Sequence, residues 1–249
     1  MKKTFFIILA IIATYLIKSF NSSEQTADFT QSALCSEIED GGIQRIDYIG
    51  YSLGYSKEKM APLWVAYRLF KIESADSKER PGEFTEDHRI VGARANTRMW
   101  TGTGYDRGHM APNWGISTRY GRDAQVETFH LSNIIAQKPD LNRGLWKSLE
   151  GIEANDYANR FSSIHVITGP IFTNNDRLKG ENSPVIPTAC YKIIIRDKEP
   201  RLLSFIIPQE TPGSNSQKEL VKYISNVSTV ENQTGLKFNL PYSESSSLW

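Results

Sequence analysis

The stretch Tyr105-Asp106-Arg107-Gly108-His109-Met110-Ala111-Pro112-Asn113 puts a permanent cation, a glycine and an imidazole within three positions. An unperturbed imidazole, with a pKa of about 6.5, is mostly neutral near physiological pH and can take a proton from water. His109 is therefore a candidate general base. Arg107 carries a planar fork of donors that suits phosphate oxygens, although an ion pair with Asp106 would use it equally well. Two later stretches supply possible companions: Thr128-Phe129-His130-Leu131-Ser132-Asn133, and Leu141-Asn142-Arg143-Gly144-Leu145-Trp146-Lys147-Ser148-Leu149-Glu150. Asn142 offers the neutral oxygen that Mg²⁺ accepts beside several waters; its position also suits a helix N-cap. Glu150 suits a water held on such a cation, or simply a solvated helix face. Asn133 lies among Leu131, Ile134 and Ile135, where its amide could fix the orientation of His109. His88, His130 and His165 lack comparable company and read as structural or surface residues. Taken together, the set points to hydrolysis of a phosphodiester. His109 would activate water, a cation on Asn142 would polarise the phosphate, and Arg107 would offset developing charge. No residue in the set would read a base.

These side chains need elements to gather them. Residues 142–157 have apolar positions at 145, 149 and 152, the pattern of an amphipathic helix. On an ideal helix Asn142 and Glu150 are about 80° apart and roughly 12 Å along the axis. They can face one cavity but not both touch one small ion, so a water between Glu150 and the cation is expected. Residues 48–56 and 63–72 read as a β-hairpin around a turn, and 74–87 as a loop. Arg89, Arg94 and Arg98 follow it, either as a solvated face or as a phosphate-contacting rim. Residues 163–168, 185–195 and 201–207 read as strands, the last two antiparallel through the turn at 196–200. Residues 217–227 look helical, and Ser228-Thr229-Val230-Glu231 has the form of a capping box for a short helix ending at Gly235. The fold class is α+β, with a central antiparallel sheet flanked by helices.

At 249 residues, 39% hydrophobic and 23% charged, the chain has the composition of an ordinary globular domain. The formal net charge is +1; with Lys2, Lys3 and Lys18 set aside, 26 basic residues face 28 acidic ones. A global positive field is thus excluded, and any grip on phosphate must be local. Residues 1–22 read as a signal peptide or an N-terminal membrane anchor: two lysines, an apolar run too short for a comfortable span, then Lys18. Export, secreted or periplasmic, is the expectation, with membrane attachment only through that leader. Residues 23–45 read as a polar lead-in, 46–242 as the catalytic domain and 243–249 as a frayed polar tail. Cys35 and Cys190 are the only cysteines and leave one disulfide or two thiols open.

The chain resembles the DNA/RNA non-specific endonuclease family. The resemblance rests on Tyr105 to Ala111, Thr128 to Asn133 with Gln137, and Asn142, Trp146 and Glu150 at their helical spacing. It extends to Ile167-Thr168-Gly169-Pro170-Ile171-Phe172 and to Thr234-Gly235-Leu236 with Phe238. Ala136 departs from the family pattern, as does Asn113-Trp114, which replaces small residues. The resemblance implies a ββα-metal finger, in which a hairpin carries the base and the next helix the metal ligand. It implies one divalent cation, Mg²⁺ with Mn²⁺ as a substitute, held directly by Asn142 and through water by Glu150. His109 would be the proton acceptor, with Arg107, Asn133 and Glu150 supporting and Arg94 and Arg107 touching substrate. DNA and RNA would be cleaved with little sequence preference; a homodimer and an inhibitor protein stay open. The alternative is a catalytically silent nucleic-acid-binding module on the same fold.

Overall fold

A computed structural model describes residues 43–75, 79–196, 201–238, 240 and 243–249. The leader, Cys35 and most of the lead-in lie outside the described residues. Among those residues no helix is long and apolar enough to cross a membrane.

Strands β1 (Ile43–Tyr48), β2 (Tyr51–Ser56) and β3 (Ala61–Phe70) form an antiparallel meander. The hairpin read at 48–72 is thus present, but it gains a strand from the end of the lead-in. Strands β6 (Ser163–Ile171), β7 (Ala189–Arg196) and β8 (Arg201–Pro208) extend the sheet, all antiparallel. Its order is β1-β2-β3-β6-β7-β8-β10, where β10 is Ser243–Glu244, parallel to β8, and the short β9 (Ile224–Ser225) also pairs β8.

Strand alternation decides what each face buries. Val65, Tyr67 and Leu69 of β3 join one core with Trp146, Leu149 and Tyr157, while Trp64 and Ala66 join another with Val227, Val230 and Phe238. The sheet is therefore sandwiched. On one side lies a helix, α2, over residues 139–160 and kinked at Gly144; on the other lies α3 (Val227–Thr234).

Three sequence expectations change. Residues 217–223 form a 3₁₀ turn and then enter β9, instead of continuing as a helix to 227. The cap of α3 is Asn226, whose Oδ1 accepts from Thr229 N at 2.8 Å; the helix therefore starts before the box read at Ser228. The tail is not frayed: Ser245 N donates to Leu202 O at 2.8 Å, and the Trp249 ring lies 5.3 Å from Tyr157 and 5.4 Å from Phe161. A terminal indole with an aromatic pocket to fill outweighs the polar serines before it.

Helix α1 (Asn113–Glu127) was not legible beforehand. Its buried residues are Gly115, Ile116, Ser117, Ala124 and Gln125, too few and too polar for an apolar stripe.

A buried polar knot ties α2 to the sheet. Lys192 of β7 and Glu153 of α2 are both fully buried and pair at 2.9 Å. The Tyr67 hydroxyl donates to Glu153 Oε2 at 2.7 Å, and Lys192 Nζ donates to that hydroxyl at 3.2 Å. Lys192 Nζ also lies 4.5 Å from the centre of the Trp146 ring. A buried charge is tolerable only with such satisfaction, so the knot fixes where α2 sits.

Candidate active site

Strand β4 (Asp106–His109) pairs antiparallel with β5 (Ile134–Gln137), and α1 lies in the connection between them. Alternation puts Arg107 and His109 on one face of β4 and Asp106 and Gly108 on the other. Gly108 has to be glycine: a Cβ there would come 2.1 Å from Gln137 Oε1. The Asn133 amide is fully buried and spends itself on backbone: Oδ1 accepts from Ala111 N at 2.8 Å, and Nδ2 donates to Ala111 O and Thr128 O at 3.0 Å. Asn133 thus clamps the chain just after His109 instead of reaching the ring or the cavity.

Helix α2 contributes the other wall. Its Asn142–Trp146 stretch is a π turn. Two α-helical turns take about seven residues and a π turn absorbs one more. Eight residues spanning it come closer to two whole turns than on an ideal helix, and the backbone of Gly144 within it is non-helical. Asn142 and Glu150 line one cavity, as expected. The widened turn is accompanied by a close packing of Gly144, where a Cβ would lie 2.9 Å from Ser214 O.

Residues 80, 107, 109, 113, 114, 142, 143, 147 and 150 line one cavity of about 610 Å³. The Asp106 carboxylate accepts from Asn142 Nδ2 at 2.9 Å and from Arg143 at 2.8 and 2.7 Å. Burial alone would raise the Asp106 pKa, but the hydrogen bonds from Arg143 and Asn142 and the Arg143 charge lower it overall. A charged carboxylate takes the amide NH₂, so Asn142 Oδ1 is the end left for a cation.

The His109 ring packs between Phe84, at 5.3 Å, and Phe129, at 4.9 Å. Burial, with the nearby Arg80 charge, lowers its pKa to about 3. The ring is therefore neutral at any physiological pH, as a proton acceptor must be. The Trp146 indole donates to His109 O at 3.3 Å and links His109 to α2. Arg107 is aimed by its bond to Thr97 O, 2.9 Å, and by the Phe84 ring 5.6 Å from its guanidinium carbon. The Glu150 carboxyl is raised to about 7 by burial and by Glu153, against the lowering effect of Lys192, Trp146 and Arg80.

Four buried polar atoms on this cavity have no hydrogen-bond partner: Arg107 Nε, His109 Nε2, Asn113 Oδ1 and Glu150 Oε1. Buried polar atoms are normally satisfied, and unpaired ones gathered in one place mark a ligand site.

The sequence model of the DNA/RNA non-specific endonuclease family matches residues 31–244. The chain belongs to this family. The mitochondrial nuclease EXOG of Homo sapiens is 30% identical over 209 residues, 77% of this chain and 55% of that one. Endonuclease G of Homo sapiens, also mitochondrial, is 27% identical over 76% of this chain and 67% of that one. A structure of an EndoG/EndoGI complex matches with a TM-score of 0.68 at 27% identity, covering 78% of this chain and 84% of that chain. The chain spans less than two thirds of the length of the EXOG proteins it matches. The expected family fold is thus present, finger and helix included.

Arg80 was missed. Residues 74–87 read only as a loop, yet Arg80 lines the cavity, its guanidinium carbon 5.1 Å from the Phe129 ring centre. Only its place in the fold distinguishes it from other loop arginines. Arg94 is not among the cavity residues; its Nε pairs with Glu86 at 3.2 Å. Arg89 is likewise taken up, by Asp87 and Glu127. Cys190 is a buried free thiol, its pKa pushed up to about 12 by burial; its notional partner Cys35 lies outside the described residues.

Proposed function

We propose that this family member hydrolyses phosphodiester bonds in DNA and RNA with little sequence preference. The observation that carries the reading is the meeting of a neutral buried imidazole, unpaired arginine and carboxylate atoms and a free amide oxygen on one cavity. His109 accepts the proton of the attacking water. Arg107 and Arg80 hold the non-bridging oxygens and offset their charge in the transition state. Asn133 keeps the segment after His109 in place, and Trp146 steadies the base from below.

Among the described residues no three His, Cys, Asp or Glu side chains cluster to hold a metal. The donors present still fit one hard cation that keeps most of its waters. Asn142 Oδ1 would hold Mg²⁺, or Mn²⁺, directly and Glu150 would hold it through water. A cation bound there would supply Lewis-acid polarisation of the phosphate.

The test is digestion of plasmid and of total RNA with Mg²⁺, with EDTA, and by His109→Ala. Cation-dependent cleavage of both, lost in His109→Ala, is the expected result. Binding without cleavage by folded wild-type protein would replace the reading with that of a silent nucleic-acid-binding module. We also infer export through the leader, although the EXOG and endonuclease G relatives are named mitochondrial. Cell fractionation checks this. The EndoG/EndoGI complex supports an inhibitor protein as a partner; a homodimer has only the family resemblance behind it.

A further inference from the structure

The cavity has one wall that the hydrolytic chemistry does not use. Trp114, the second residue of α1, lines it with 41% of its surface exposed. The other exposed large apolar side chains among the described residues are Ile49, Val91, Val126 and Val221, so Trp114 is the sole aromatic in that set. Trp64, Trp100 and Trp146 are buried, and Trp249 packs on Tyr157 and Phe161. An indole left open on a polar cavity wall has a different job from these.

Its setting defines that job. Trp114 Nε1 donates to Asn155 Oδ1 of α2 at 3.4 Å, which fixes the ring by its edge across the two walls. Asn155, Lys147 and Arg143 line the same cavity, and the Arg143 side chain is 71% exposed. His109 and Arg107 are only five and seven residues back along the chain, on that same cavity. On the proposed reading the cavity takes a phosphate at His109 and Arg107, and an exposed aromatic surface stands on the wall of that same cavity.

We propose that Trp114 is a stacking platform for an unpaired base next to the scissile phosphate, so that the protein favours single-stranded over double-stranded nucleic acid. This inference rests on the nuclease reading above. Every base has a π face, so such a platform adds no sequence preference. In a duplex both faces of a base are covered by its neighbours, and only an unpaired or splayed nucleotide can offer one. Stacking of one base on an aromatic side chain changes affinity by about tenfold or more.

The experiment titrates the full chain, in EDTA, with a labelled oligothymidine strand and with a hairpin duplex of equal length. Anisotropy gives the affinities and tryptophan fluorescence reports the stacking. Expected are saturable quenching by the single strand, affinity about tenfold weaker for the duplex, loss of that difference in Trp114→Leu, and its retention in Trp114→Phe. An unchanged affinity ratio in Trp114→Leu with a wild-type circular dichroism spectrum and melt would overturn the proposal. So would wild-type protein that shows no quenching. Failure of the wild-type protein to cleave with Mg²⁺ or Mn²⁺ strikes the hydrolytic reading alone, because the binding titration still decides the platform.

Discussion

Two half-buried polar clusters, one around Asp87 and one around His109, could hardly be more different. Asp87 is held by four hydrogen bonds from within the chain. The carboxylate accepts from the Tyr48 hydroxyl, from Ser132 Oγ at 2.7 Å, from Arg89 N at 3.0 Å and from Arg89 Nε at 3.2 Å. The Arg89 guanidinium stacks 3.9 Å over the Tyr48 ring. Around His109, four buried atoms are left unmatched. Both clusters hold ionisable groups out of water, which costs free energy unless a partner offsets it. The Asp87 cluster finds its partners within the chain and is structural. The His109 cluster lacks them, and on the proposed function the substrate completes it.

That contrast can be broken from either side. The largest effect falls on His109→Ala: cleavage per folded molecule drops by about 10²–10⁴-fold, as for loss of a general base. The same variant carries a pH signature. The folded pKa of His109, about 3, lies below its unfolded value, so the unfolded chain binds a proton that the folded one refuses. Stability from this group is complete above about pH 6.5 and is lost as pH falls towards 3, by up to about 1.4 kcal/mol per pH unit. Thermal melts between these limits will show a shallower acid decline in His109→Ala. A decline as steep as wild type would mean that burial does not hold the ring neutral.

Next comes Asp106→Asn. It removes the carboxylate that selects the NH₂ end of Asn142. The Mg²⁺ concentration for half-maximal cleavage should rise about 10–100-fold, the usual cost of losing an orienting partner behind a ligand. An unchanged Mg²⁺ titration would separate Asn142 from the cation. Asp87→Ala should do the reverse of His109→Ala. It leaves the Tyr48 and Ser132 hydroxyls, 2.8 Å apart, only each other as partners, so one donor goes unmatched, which costs about 2 kcal/mol in urea denaturation, with cleavage per folded molecule kept. The smallest effect belongs to Arg94→Ala. Its pair with Glu86 is exposed on both sides, so about 0.5 kcal/mol of stability is at stake. Cleavage should not change, and a tenfold rise in KM would return Arg94 to the substrate path.

Sequence patterns revealed what depends on period and type. The strands at 163–171, 189–196 and 201–208 are apolar runs bounded by turns, and their residues are buried almost throughout. His109, Arg107, Asn142 and Glu150 could be gathered because each is chemically distinctive and spaced for a strand and a helix. Whatever depends on long-range packing stayed hidden. Helix α1 has little apolar stripe because part of its buried face is glycine, serine and glutamine. Arg80 is one arginine in a charged loop until the fold sets it against Phe129. Lys192, in the middle of an apolar strand, gives no hint that Glu153 and Tyr67 wait for it. The role of Asn133 shifted for the same reason, since backbone partners cannot be read from side-chain chemistry.

The π turn of α2 has a consequence for how the site tolerates change. In it the phase between Asn142 and Glu150 is set by a count of residues. Seven residues of regular α-helix also make about two turns, so removing one residue from 143–146 would straighten the helix and keep Asn142 and Glu150 near one face, about 20° apart. Removing one from 147–149, where the helix is already regular, would rotate one of them by about 100°, the angle of a single residue on an α-helix. The site is thus more vulnerable to a one-residue deletion after the π turn than to one within it.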